Sequence, residues 1–308
     1  MNESDARPGS VVLAFITVYL VWGSTYFFIR HALNGFPPLM LGAFRFITAG
    51  LIMMIWAIFK KEKLFQAKAM KAAAISGFFI LFIGNGVVIY AEQYVGSAWV
   101  AIIISAAPIW FVLFDKFHWK ENFRSRSMLA GLVMGIMGMT LLFSENISVR
   151  KGNAGQHNTL EFVLLIFASM SWVIGSLYGK YSRPVFPVVI STTWQMFFAG
   201  VYFLAGTFFN HEFSSFHLNQ VSINAWISIW YLIIFGSILA YSCYIWLMQV
   251  RPPAQVSTYA YVNPVVAVLL GVFLADEHIS LVQMSGLVVI LVSVLLINLN
   301  RYMHRSNS

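Results

Sequence analysis

Apolar runs about twenty residues long, the length needed to cross a hydrocarbon core, recur from one end of this chain to the other. Of its 308 residues, 59% are apolar and only 10% charged, against about 25% charged in an average soluble domain. So few charges cannot cover the surface of a soluble globule, and the chain reads as a polytopic membrane protein. A backbone in hydrocarbon must satisfy its own hydrogen bonds, so the spans are helices or a closed barrel. Barrel strands would appear as alternating segments of about ten residues, and that alternation is absent.

Polar punctuation divides the chain into ten expected helices: Val11 to His31, Pro37 to Phe59, Ala72 to Ala91, Ser97 to Asp115, Met128 to Phe143, Thr159 to Lys180, Phe186 to Phe209, Ala225 to Gln249, Ala254 to Ala275 and Ser280 to Leu299. The first run has no small-residue cleavage site behind it and is read as a retained helix, not a signal peptide. The single cysteine, Cys243, lies inside an apolar run, which leaves no disulfide and no cysteine-ligated metal to expect.

The formal net charge of +8 does not point to nucleic acid, because the cations sit in short loops with no aromatic-interleaved basic domain. Fifteen of the 19 Lys and Arg residues fall on the side holding both termini, five of them between Lys60 and Lys71. The opposite side holds Arg30, Arg150 and Lys151, and Arg45 lies within a span. The positive-inside rule therefore predicts cytoplasmic N and C termini, and an even number of spans agrees by putting both termini on one side.

An internal repeat emerges when the chain is slid along itself. A shift of 150 superposes Trp22 on Trp172, Phe36 on Phe186, Pro37 on Pro187, and Ala49 and Gly50 on Ala199 and Gly200. A shift of 156 aligns Gln93 with Gln249, Ala98 with Ala254, Val100 with Val256, Pro108 with Pro264, Phe117 with Phe273 and Glu121 with Glu277. Each half then holds five spans, and an odd number makes the second half enter from the opposite face. The expected fold is an all-α membrane protein of ten transmembrane helices arranged as two inverted five-helix repeats, an architecture of secondary transporters with substrate bound near the midplane.

Polar groups at mid-depth are the candidates for a substrate cavity. Pro108 and Pro264 lie near the middle of the fourth and ninth spans, where each removes an amide donor and acts as a hinge or kink. Asn263, whose amide both donates and accepts, stands beside Pro264, with Tyr259 and Tyr261 nearby. The other cavity candidates are Trp22, Thr25, Tyr26, Asn85, Ser105, Trp172, Ser176, Tyr241 and Tyr244. A single hydroxyl in a membrane helix usually serves packing, at about 0.6 kcal/mol. All eleven acids lie in loops, at termini or at span ends, so no midplane proton relay is visible, and Glu92 at the outer end of the third span is the nearest candidate for proton coupling. Gly131, Gly135 and Gly138 give the fifth helix a surface for close helix contact, expected within the monomer.

The segments "VWGSTYFFIRHALNGFPPLMLGAFRFITAG" and "STYAYVNPVVAVLLGVFLADEHISLVQMSGLVVILVSVLLI" resemble the first- and last-repeat signatures of the EamA-type transporters of the drug/metabolite transporter superfamily. Trp22 to Ser24, Arg45, the two prolines and Glu277 stand where that pattern has them. The resemblance implies a first repeat over residues 1–144, a second over 159–300 and a cytoplasmic tail at 301–308. It further implies a carrier in the cytoplasmic (inner) membrane that exports amino acids or other small metabolites by alternating access. The second repeat departs from the pattern in carrying "SWVIGS" for the WGS triplet. A sensor or scaffold without active transport, or a channel-like protein, is the alternative. No HExxH or GxSxG pattern points to an enzyme, and no cofactor or metal is expected.

Arg45 is the sharpest feature. A central arginine costs about 2.5 to 3.5 kcal/mol on insertion, which the leucines, isoleucines and phenylalanines around it offset at about 0.3 to 0.6 kcal/mol each. Its position eight residues into the span places it about 12 Å deep, a long reach for snorkelling. Its repeat counterpart is the uncharged Gln195. Arg45 is therefore expected to face the cavity and attract a carboxylate or similar group of an anionic or zwitterionic solute; the alternative is a structural clamp on carbonyls freed from the helices.

Overall fold

The structure, a computed structural model, describes residues 6–95, 97–149, 158–182, 184–275 and 280–305. Among these residues all regular structure is helical. The main helices are α1 (Pro8–Ala32), α2 (Pro38–Phe59), α3 (Ala67–Ala91), α4 (Ser97–Ile104), α5 (Ala107–Phe114), α6 (Arg126–Val149), α7 (Asn158–Tyr181), α8 (Val188–Phe209), α9 (Ile223–Val250), α10 (Pro253–Val256), α11 (Tyr259–Ala275) and α12 (Leu281–Arg305). Seven helices are long and apolar enough to cross a membrane, or eight if the pair Val100–Phe114 and Lys116–Arg124, bent by 63°, counts as one span. Large apolar side chains such as Leu13, Phe27, Ile55 and Leu295 face outward, as a lipid-facing surface requires.

Each of the ten expected segments falls on helix, but the fourth and ninth are interrupted. The fourth breaks at Ser105 and Ala106, so Pro108 sits in the first turn of α5 and starts a helix there instead of kinking one. The ninth breaks at Ser257 and Thr258, and Pro264 lies inside the 17-residue α11 that follows. Hydroxyls mark both breaks. Ser105 donates to the Ile102 carbonyl, Ser257 to Ala254 at 2.7 Å and Thr258 to Gln255 at 2.8 Å, local bonds that compete with the helical ladder.

Helices α2 and α8 pack backbone to backbone. A Cβ on Gly50 would lie 2.8 Å from the Phe197 amide nitrogen, and one on Gly200 would lie 2.6 Å from that of Ile47. Residue numbers rise along one helix as their partners fall along the other, so α2 and α8 run antiparallel, and the two contacts exchange under a shift of 150. The chain leaves both helices through a left-handed residue, Lys61 (φ 56°) and His211 (φ 55°), again 150 apart.

The third helix of each half carries a wider π-helical stretch, Phe78–Asn85 in α3 and Leu232–Ala240 in α9. Such winding disturbs the regular ladder and opens carbonyls to outside donors. Trp22 of α1 donates Nε1–H to the Gly236 carbonyl at 3.1 Å, and Ser171 of α7 donates to the Phe79 carbonyl at 2.8 Å. Each half's first helix thus bonds the other half's π stretch. The Gly131 and Gly138 surface of α6 packs on α12 at Ile297 and Ile290, while Gly135 meets the Tyr261 ring, so these glycines serve contacts within the chain.

Overpacking a close helix contact typically costs about 1–3 kcal/mol. Gly50→Leu is therefore expected to lower the thermal midpoint of the detergent-solubilised protein, while Gly9→Ala, whose Cβ would meet nothing within 4 Å, leaves it in place. Ser171→Ala removes one bond worth about 1 kcal/mol and lowers the same midpoint by less.

Candidate functional site

A cavity enclosing about 720 Å³ of atom-free space, part of it open to the outside, lies among α1, α2, α3, α7, α9 and α11, with the α4–α5 break at one edge. Eight of the residues singled out from sequence line it: Trp22, Thr25, Tyr26, Arg45, Asn85, Trp172, Tyr241 and Asn263.

Arg45 is 3% exposed and is held at three points. Nε–H donates to Ser237 Oγ at 2.8 Å, Nη1 donates to Asn85 Oδ1 at 3.3 Å, and the guanidinium carbon lies 4.8 Å from the centre of the Phe46 ring. A guanidinium has five N–H groups, so two such bonds leave three without an acceptor among the described residues. A Cβ on Gly236 would lie 3.2 Å from Nη2, so glycine there makes room for the cation. Among the described residues the one ion pair is His118 with Asp115, at 2.9 Å and away from this cavity. The charge of Arg45 is balanced by polar atoms and a ring, not by a carboxylate.

Other buried polar atoms share this cavity. Asn263 is buried with its Oδ1 unbonded, and Ser169 has an unbonded Oγ. Both residues line the space, with these two atoms themselves shielded from solvent. The apolar wall is aromatic. Trp22 meets Trp172 edge-on with ring centres 5.3 Å apart and Tyr259 likewise at 5.0 Å, and it lies 5.1 Å from Tyr244. Close approach of α1 to α11 depends on Gly23, where a Cβ would lie 2.5 Å from Val266 Cβ and 3.0 Å from the Asn263 carbonyl oxygen.

The remaining candidates lie elsewhere. Tyr244 is fully buried behind the aromatic wall, accepting from Trp172 Nε1 at 3.1 Å and bonded to Ser176 Oγ at 2.6 Å. Ser176 lines a second cavity, described below. Ser105 is buried at the α4–α5 break, and Tyr261 points away toward α6, where its hydroxyl donates to the Leu132 carbonyl at 3.3 Å. Glu92 is buried at the end of α3. Glu277 lies outside the described residues.

Sequence reasoning missed Ser237 and Ser169 as lining residues, and named Tyr259 only as a neighbour of Asn263. Tyr259 shares a helical face with Asn263, four residues on, whereas Tyr261 does not, and that spacing was the available signal. Ser237 is a lone hydroxyl in an apolar run, with nothing local to distinguish it from a packing serine.

The second cavity holds about 540 Å³ of atom-free space, part of it open to the outside, and is lined by Ser76, Ile80, Ser176, Gly179, Gln195 and Gln249 among others. It flanks the first half of α3, and the Arg45 cavity flanks the second half. Among the described residues no group of three or more His, Cys, Asp or Glu is placed to hold a metal.

The profile of the EamA-like transporter family matches residues 9–144 and 159–299. The chain is 33% identical over 294 residues to the uncharacterized inner membrane transporter YedA of Escherichia coli, covering 94% of this chain and 91% of that one. It is 26% identical over 290 residues to a WAT1-related chloroplastic protein of Arabidopsis thaliana, covering 92% and 68%. A protein of known crystal structure superposes with a TM-score of 0.75 over 97% of this chain and 99% of its own, and at 18% identity that is a likeness of fold. With both of its halves matched, the chain belongs to the EamA-like transporter family.

Proposed function

We propose that this protein is a secondary transporter that moves small organic metabolites bearing a carboxylate or similar anionic group, amino acids foremost, out of the cell across the inner membrane. The observation that carries this reading is the buried Arg45 guanidinium, with three N–H groups unclaimed among the described residues, in a cavity that Asn263 also lines. An intramembrane cation of this kind is expensive and marks a solute path. A carboxylate accepts the planar fork of an arginine through two parallel bonds, while Trp22, Trp172 and Tyr259 cover the apolar part of the solute.

Ten spans in two inverted repeats, over residues 1–144 and 159–300 with 301–308 as a cytoplasmic tail, are the architecture in which this cavity would alternate. Reciprocal contacts support it: Gly50 with Phe197 and Gly200 with Ile47, Trp22 with Gly236 and Ser171 with Phe79. Cytoplasmic termini follow from the excess of Lys and Arg on that side. Glu92, buried at the far end of α3, is the group we assign to proton coupling. Two cavities separated by packed side chains suit a carrier better than a continuous pore.

A screen of metabolites exported by cells making the wild-type protein or Arg45→Ala tests this directly. Export of at least one anionic or zwitterionic solute is expected to need Arg45 and to fall by about tenfold or more without it, the loss of at least one charge-assisted bond of 1.5–3 kcal/mol. Equal export of every solute by the two strains would remove Arg45 from the site.

A further inference from the structure

We infer that the cavity around Gln195 is a second solute site on the same path, the repeat counterpart of the Arg45 site, and that it takes an L-amino acid through its uncharged hydrogen-bonding groups from the cytoplasmic side. The inference rests on the transport reading above. Arg45 and Gln195 are 150 residues apart and make corresponding bridges. Arg45, on α2, donates to Asn85 on the third helix of its own half and to Ser237 on that of the other half. Gln195, on α8, accepts from Tyr241 on the third helix of its own half at 2.9 Å and donates to Ser76 on that of the other at 2.7 Å. Asn85 and Tyr241 are themselves 156 apart, the second repeat interval.

Space stands beside the Gln195 amide. A Cβ on Gly179 would find only Ser76 Cβ at 3.7 Å and Gln195 Nε2 at 3.9 Å, so the glycine leaves one face of the amide open to the cavity. The bonds to Ser76 and Tyr241 leave Gln195 one N–H and one carbonyl lone pair. Lys180 lines the same cavity, its Nζ donating to the Met248 and Arg251 carbonyls at 2.7 and 2.9 Å, which places a cation near the end of α7.

Two tyrosines divide the path. Tyr241 lines the Arg45 cavity yet donates to Gln195. Tyr244 bonds Ser176 on one side and Trp172 on the other. Both are buried. The cavities therefore share one wall, and a solute leaving Gln195 for Arg45 passes from a neutral amide to a fixed cation.

The test uses the full-length protein with Cys243→Ala and Ser191→Cys, since Ser191 lines the Gln195 cavity, in membrane vesicles of both orientations. A membrane-impermeant maleimide is expected to label the new thiol only from the cytoplasmic face, and Gly179→Leu, which fills the cavity, abolishes that labelling. L-amino acids are then added singly on the cytoplasmic side. At least one is expected to protect the thiol, and protection is lost with Gln195→Leu but kept with Arg45→Ala. Labelling from the outer face, labelling indifferent to Gly179→Leu, absence of protection by any amino acid, or protection that survives Gln195→Leu would each overturn the second site. None of these outcomes depends on export, so the Arg45 reading stands or falls separately.

Discussion

The close approach of α2 and α8 is the constraint on which the rest of the molecule depends. Only glycine at positions 50 and 200 lets each helix reach the other's backbone, opposite Phe197 and Ile47. That contact brings Arg45 and Gln195, five residues before each glycine, to the centre of the bundle, each within reach of both third helices. Small residues are how membrane helices gain van der Waals contact in a solvent that supplies no hydrophobic drive. The polar centre follows from the packing, since side chains that cross such a narrow interface must find partners on the helices flanking it.

Burial of a cation here is made tolerable without a counter-charge. Ser237, Asn85 and the Phe46 ring each supply partial negative charge, and together they orient the guanidinium while leaving part of its fork open. A carboxylate partner would neutralise the site and compete with any anionic solute. The arrangement holds the arginine in place and keeps it available.

Long-range order in this molecule was legible wherever it follows from hydropathy. The helical class, the segment boundaries and the charge at Arg45 come from run length and from one residue that breaks a run. Eight of the twelve cavity residues named from sequence line one space, because polar groups inside apolar helices have few places to go. Tyr261 and Tyr259 show where this fails: both are mid-span tyrosines, and the choice between them is a matter of helix rotation. Ser105 and Tyr244 were polar for reasons of helix breaking and wall building, which depend on partners distant in sequence. The π stretches left no trace in composition, since their residues are as apolar as the regular helix around them.

Those two stretches bear on how the centre is tuned. A helix wound with surplus residues per turn aims everything beyond it in a new direction, and each residue returned to regular winding would turn the following segment by roughly 100°. Asn85 closes one stretch and Tyr241 follows the other, so the groups that meet Arg45 and Gln195 are aimed by the winding that precedes them. Trp22 and Ser171, which bond carbonyls inside the two stretches, act as pawls on a pair of ratchets: while their bonds last, neither third helix can slip back to ordinary pitch without leaving a carbonyl bare.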